Sequence, residues 1–483
     1  MEDLLRVALA AAGRSSAIVY ADARVIAPYR YEHLAVRNGA ASSLTSTTRA
    51  AVGVRVRTRK AWGFAAATGV ARSDARAVAA QAVALARAAD RSAPGDLPVT
   101  DERGPDHGTY RSPVGEDPFA LSVEQKLELL TEAERALHAG PEVKSGLATF
   151  QAWSEEKWFA SSEGSSYRST IVHVGAGVDA TAVGGGEVQR RSAPTSFGGD
   201  FRQAGFEFIR TLDLPEVAAR TGREAVELLT APACPTATTT IVLASDQCAL
   251  QVHESVGHAT ELDRISGMEA GYAGTSFLAP TDLGRLRYGS RQMQIVADAT
   301  EPGGLGTFGW DDEGIEARRR PLVTDGVLSG FLTSRETAAR IGEARSGGTV
   351  RAEGALRLPL IRMTNIDLQP GDHTFDELLE GVTDGVFFLT NRSWSIDDKR
   401  LNFQFGTQVG RRIEHGSLGA LVRNPIYSGS TPEFWASMDA VGDRSTWHLW
   451  GVPNCGKGQP SQVARVGHGA PAARFRDVRV RGG

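Results

Sequence analysis

Cysteine is scarce in this chain: three residues in 483, at Cys234, Cys248 and Cys455. That excludes a disulfide framework and fits a reducing compartment, so a cytoplasmic protein is expected. No run of about 18 apolar residues occurs, and no membrane-spanning helix is expected. The opening MEDLLRVALAAAGR has Glu2 and Asp3 where a secretory leader is basic, and Arg6 interrupts its apolar run. An excess of positive charge is missing too. Lys plus Arg number 53 against 57 Asp plus Glu, giving a net charge of -4. Neither nucleic acid nor an acidic membrane is therefore an expected partner.

What is present is the composition of an ordinary globular protein, 41% hydrophobic and 23% charged, long enough for two or three domains. Residues 1–13 read as a helix burying Leu4, Leu5, Ala8 and Leu9. Strand-like segments follow at 16–25, 35–47 (broken by the turn Asn38-Gly39) and 51–57. Helices are predicted over 74–89, with Ser73 as N-cap, and after the capping box Ser122/Gln125. Two further strands lie between 147 and 182, and a third helix starts at Asp213. The proline-flanked Thr230–Pro235 reads as a linker. The expectation is an α+β protein: an N-terminal α/β domain over 1–232, then a mainly antiparallel β sandwich or barrel over 233–483.

The chemistry concentrates at Gln251–Arg264, QVHESVGHATELDR. His253, Glu254 and His258 form H-E-x-x-x-H behind the apolar run Ile241-Val242-Leu243. Imidazoles hold a metal ion, and a neighbouring carboxylate manages the proton of a metal-activated water. The common peptidase spacing is i, i+4, about 40° apart on a helix; i+5 rotates by about 140°. Both rings reach one ion only if the helix carries a π-type bulge, which Gly257 would permit at low steric cost. The alternative is two unrelated histidines. Asp246 is expected to cap the helix.

A third ligand is offered by Cys455, in the Gly- and Pro-rich stretch Gly451–Gln459, read as a loop exposing its thiol. Cys248, five residues before His253, reads as a packing residue, and Cys234 lies in the linker. Two His and one Cys leave a coordination position open, as a catalytic zinc site requires. Glu254 would then take the proton from the water and pass it to the leaving amine.

Residues 253–258 and the NCGKGQ stretch resemble the TldD/PmbA family of metallopeptidases, and the likeness runs along nearly the whole chain. Gly53-Val-Arg-Val56, Trp62-Gly-Phe64, Trp310-Asp-Asp-Glu-Gly314, Arg362-Met-Thr-Asn365, Ser393–Asp398, Asn402–Gly406, Asn424-Pro425 and Thr431–Trp435 resemble its blocks in order. The family pairs a catalytic TldD-type subunit with a PmbA (TldE)-type subunit lacking the metal motif, and this chain is similar to the catalytic type. The resemblance implies zinc on His253, His258 and Cys455, and Glu254 as general base. It also implies a homodimer, or a heterodimer with a PmbA/TldE-type paralogue, enclosing a chamber that admits unfolded or small modified peptides.

Several features stand outside that reading. Residues 345–365, with Gly347, Gly348 and Arg351, are a candidate substrate groove or a surface turn. The carboxylates Asp311, Asp312 and Glu313 are expected to be solvated rather than to bind a second metal. Asp397-Asp398-Lys399-Arg400 is expected to pair internally or face water. Among His415, His448 and His468, the last is the best candidate for a supporting contact at the metal. Two other functions stay open: a tailoring enzyme for one peptide-like natural product, and a non-catalytic scaffold or modulator stabilised by metal.

Overall fold

The computed structural model describes residues 1–272 and 274–483. Its first half is built on one eight-stranded sheet whose main path runs Trp62–Thr68, Ala40–Arg57, Tyr20–Arg37, Val143–Ser161, Ser166–Gly184, Gly108–Arg111. Every pairing along that path is antiparallel except the last. The four central strands are 18 or 19 residues long; Tyr20–Arg37 and Ala40–Arg57 run well beyond the segments read from alternation, whereas Val143–Ser161 and Ser166–Gly184 extend the pair read over 147–182 by only a few residues. Polar faces hide strand continuity: Ala40–Arg49 is rich in Ser and Thr and largely exposed.

Two helix pairs cover this sheet. Glu2–Ala12 and Arg72–Asp90 bury Leu4, Leu5, Val78, Ala79 and Ala82 against Val52, Val54 and Val56. The alanine face lets helix and strand approach closely; a Cβ on Gly63 would stand 2.2 Å from the Ala82 carbonyl oxygen. Val123–Leu137 and Leu214–Glu227 bury Leu130, Leu137 and Ala218 over Phe150 and Val174. The Ser122 box forms as read: the Gln125 N–H donates to Ser122 Oγ at 3.2 Å, and the Ser122 N–H to Gln125 Oε1 at 3.1 Å. Ser73 is not a cap. The chain is already helical from Arg72, and Asp74 accepts the Ala71 N–H at 3.0 Å instead.

The second half is a closed barrel. Ala237–Leu243 pairs in parallel with Asp384–Ile396 and antiparallel with Ala473–Gly482. Pro425–Ser430 and Asn402–Glu414 complete the ring back to Asp384–Ile396. Phe388, Phe403, Phe405, Tyr427, Phe434 and Phe475 belong to one buried cluster there. A four-stranded sheet containing Ile295–Asp298 and the hairpin His448–Lys457/Gln462–Ala470 complete this half. The protein is thus mixed α and β, with a mostly antiparallel barrel in its second half. No described helix is long and apolar enough to cross a membrane.

Candidate metal centre

The barrel strand Ala237–Leu243 launches the site. The Ala244 N–H bonds the Phe388 carbonyl at 2.9 Å, holding the chain extended up to that point. Helix Ser245–Val252 begins directly after, with Ala244 at the N-cap, so Asp246 lies in the first turn and caps nothing. At His253 the helix widens into a π turn over His253–Gly257. The His258 N–H donates to the His253 carbonyl at 3.1 Å, an i+5 bond. That extra residue brings the second imidazole over the first, with ring centroids 4.9 Å apart and planes at 90°. Trp435 Nε1 donates to Ser255 Oγ at 2.9 Å and pins the turn from the core side. Gly257 is needed for packing rather than for backbone freedom: a Cβ there would lie 2.2 Å from Met363 Sδ.

Cys455 arrives from the hairpin. It does not expose its thiol from a loop as expected. It sits in the strand His448–Lys457, opposite Ala464, with 4% of its surface exposed. The Gly/Pro-rich stretch is a bulged strand, irregular between Val452 and Cys455, because Gln462–Ala470 supplies it with a partner. Its Sγ stands 3.6 Å from His258 Nε2. The ligand atoms of His253, His258 and Cys455 all lie within 4.8 Å of one another.

The outer ring nitrogens are already committed. His468 Nδ1 lies 3.1 Å from the Ile366 carbonyl, which can only accept, so His468 Nε2 is the bare nitrogen of a neutral ring. Burial, first among its causes, holds His468 well below the usual imidazole range. His253 Nδ1 must then donate to His468 Nε2, 2.7 Å away, leaving His253 Nε2 bare. His258 Nδ1 donates to Glu261 Oε2 at 3.0 Å, leaving its Nε2 bare toward Cys455. Glu261 is wholly buried, yet Lys457 and His258 outweigh that burial and keep its carboxyl far below the ordinary range. Burial pushes the Cys455 thiol up, but His258 and Arg362 overcome it and hold the thiol below its usual value. Burial lowers both the His253 and the His258 imidazole, which favours the neutral form that a metal would require.

The donor set fits a tetrahedral ion. Nitrogen at about 2.0 Å and sulfur at about 2.3 Å from one zinc stand roughly 3.5 Å apart, matching the 3.6 Å between His258 Nε2 and Cys455 Sγ. Beside the triad, Glu254 is 6% exposed and accepts a hydrogen bond from Arg400 Nη1 at 2.7 Å. A cleft of about 420 Å³ is lined by Phe64, Met268, Tyr272, Leu358 and Asp263. Asp263 shares Lys457 with Glu261, at 2.8 Å and 3.4 Å.

Other expectations are redistributed. Cys248 is buried inside its helix and burial raises its thiol, as a packing residue requires. Asp311, Asp312 and Glu313 are not solvated. They are 2%, 2% and 5% exposed and bonded to Arg24, Arg55, Lys157 and backbone N–H groups. Arg400 neither pairs within its own charge run nor faces water; it reaches Glu254. Gly347 and Gly348 are buried beside Thr333 and Glu316, and Arg351 donates to the Met363 and Leu305 carbonyls, so this part of the 345–365 run is packed interior, whereas Leu356 and Leu358 are exposed and line the cleft. His448 bonds Asp200 at 2.7 Å, and His415 sits in an exposed turn. Glu261, Lys457 and Arg362 were not singled out from the sequence; only the i+3 step from His258 to Glu261 offered a local signal.

Comparison with known proteins fixes the class first. A metalloprotease of Methanothermobacter thermautotrophicus is 30% identical over 96% of both chains. A zinc metalloprotease TldD homolog of Saccharolobus solfataricus is 26% identical over 50% of this chain and 51% of its own. The protein is a metallopeptidase. More narrowly, it belongs to the PmbA/TldD family. Residues 236–482 match the PmbA/TldA metallopeptidase C-terminal domain, 116–231 its central domain and 29–86 its domain 1. The same fold is found in the crystal structure of TldE from Thermococcus kodakarensis, with TM-score 0.74, 15% identity and full coverage of both chains.

Proposed function

We propose that His253, His258 and Cys455 hold one zinc ion and that Glu254 is the general base of peptide-bond hydrolysis. The observation that carries this reading is three bare donor atoms within 4.8 Å of one another, next to a carboxylate on the same π turn. Nitrogen with sulfur is a donor set that favours zinc over hard cations. What the ion supplies when bound is Lewis-acid polarisation of the attacking water and the scissile carbonyl. His468 and Glu261 fix the rings so that both Nε2 atoms face inward. Glu254 takes a proton from the water as its oxygen bonds the carbonyl carbon. It then delivers that proton to the amide nitrogen as the carbon–nitrogen bond breaks.

The substrate in this reading is an unfolded or small, in some cases modified, peptide. Extended peptides bind through main-chain hydrogen bonds that tolerate many side chains. A second subunit, either another copy or a PmbA/TldE-type paralogue, closes the chamber in the cytoplasm. The division at 232/233 belongs to the same proposal, since Thr230–Pro235 lies between helix Leu214–Glu227 and strand Ala237–Leu243.

The test compares wild type with Glu254→Ala for bound zinc and for cleavage of an unfolded peptide. Full metal content with a loss of at least about 10³-fold in kcat is expected. Equal cleavage by both proteins would remove Glu254 from the mechanism; no cleavage by the zinc-loaded wild type would favour a scaffold whose metal is only structural.

A further inference from the structure

Arg400 stands 146 positions from Glu254 in the chain and makes the only hydrogen bond to that carboxylate among the described residues. It lies on the turn between two adjacent barrel strands, Asp384–Ile396 and Asn402–Glu414. The turn is over-determined. Asp397 accepts the Leu401 N–H at 2.8 Å and the Asn402 N–H at 3.0 Å. The Arg400 N–H donates to the Asp397 carbonyl at 2.9 Å, and Thr431 Oγ1 donates to the Arg400 carbonyl at 2.7 Å. Arg400 itself is held at φ 62°, a left-handed conformation that a long side chain seldom adopts. Strain of this kind persists only where the surroundings enforce it.

The side chain is 16% exposed, and its Nε is buried without a partner among the described residues. A guanidinium taken so far from water is costly unless a charge compensates it. Here Nη1 meets Glu254 Oε2 at 2.7 Å, and Oε1 has no hydrogen bond among the described residues. What this contact offers catalysis is orientation of the carboxylate. Misplacing a reacting group by about 1 Å can cost about 100-fold in rate.

We propose that Arg400 is a positioning residue for the general base: it anchors Glu254 Oε2 from the barrel rim and leaves Oε1 free to meet the attacking water. The proposal rests on Glu254 being that base. It makes the Asp397–Leu401 turn part of the catalytic apparatus, with the left-handed backbone as the means of aiming one guanidinium across the site.

The test measures kcat, KM and bound zinc for Arg400→Ala, Arg400→Lys and Glu254→Gln, and for the Arg400→Ala/Glu254→Gln pair, on one unfolded peptide. For Arg400→Ala the expected result is unchanged zinc, KM within about 3-fold and kcat lower by about 100-fold. Guanidinium ion added at millimolar concentration restores at least about 10-fold of that rate, which a merely structural role would not allow. In the double variant, Arg400→Ala lowers the residual rate by less than about 2-fold, because there is no base left to position. If Arg400→Ala does not fold, Arg400→Lys carries the same comparison with the charge retained and the planar fork lost. A kcat within about 2-fold of wild type, or a raised KM at unchanged kcat, overturns the positioning role. Full activity of Glu254→Gln overturns the base assignment itself, so the two failures are told apart.

Discussion

Around Asp312 and around Cys455 the protein buries polar groups to the same depth, 2% and 4% exposed, and finishes them differently. At the first, Asp312 Oδ1 meets Lys157 at 2.9 Å and Arg24 at 3.4 Å, while Oδ2 takes the Ala352 N–H at 2.8 Å. Glu313 meets Arg55 at 3.2 Å and the Arg335 N–H at 2.8 Å. Asp311 accepts the Glu313, Ile315 and Val350 N–H groups at 2.8, 2.9 and 3.0 Å. These contacts tie the turn after Trp310 to three strands of the first sheet. At the second, both outer nitrogens are satisfied while two ring nitrogens and a sulfur face one another with no protein donor among the described residues beyond the thiol itself. Burial and charge are common to both places. Lone pairs left convergent are what separate a site from a clasp.

Removing a donor breaks the comparison most severely. Cys455→Ser should lower zinc occupancy and peptidase activity together, by at least about 10³-fold in activity, as metal analysis and initial rates on the same sample would show. Full occupancy in that variant would take Cys455 out of the ligand set. The clasp should respond in stability instead. Asp312→Ala strands Arg24 and leaves Lys157 with Glu155 at 3.3 Å, and a cost of about 3 kcal/mol is expected in denaturant unfolding. Zinc per folded molecule should not change.

The clasp also carries a pH signature. Burial raises the Asp312 carboxyl, but Lys157 and Arg24 outweigh it and bring the group from 3.8 down to about 2. A depressed carboxyl contributes stability above its unfolded value, and that contribution is lost as pH falls through the folded one. About 2 kcal/mol should therefore disappear between pH 3.8 and about 2, and Asp312→Asn should flatten that part of the acid unfolding curve. The smallest effect expected is at Gly257, where Ala would press on Met363 at 2.2 Å. A loss of about 1 kcal/mol follows from overpacking against a flexible thioether, with some zinc released as His258 shifts. Unchanged thermal melting would show that the π turn has slack.

The contrast also explains what could be read without coordinates. His253, Glu254 and His258 lie within six residues, and for both rings to reach one ion their spacing required the π turn that the helix adopts. The capping box at Ser122 is equally local and forms as read. Cys455 was legible as a residue and illegible as a place, because strand character in a Gly/Pro-rich stretch depends on the partner strand 462–470. Asp311–Glu313 read as a solvated turn because the cations that bury it lie more than a hundred positions away. Arg400 was hidden for the same reason. Barrel closure, not local spacing, brings it to Glu254. Tyr20–Arg37 and Ala40–Arg57 were read as shorter segments because the chain around their shared turn is polar and largely exposed.

The central claim is that a thiolate and two imidazoles share one ion. X-ray absorption at the zinc edge, recorded on the purified protein and on Cys455→Ser, tests it most directly. The account predicts one sulfur at about 2.3 Å and two imidazole nitrogens at about 2.0 Å in the first protein, with the sulfur shell gone in the second. A shell of nitrogen and oxygen alone, identical in both, would contradict it.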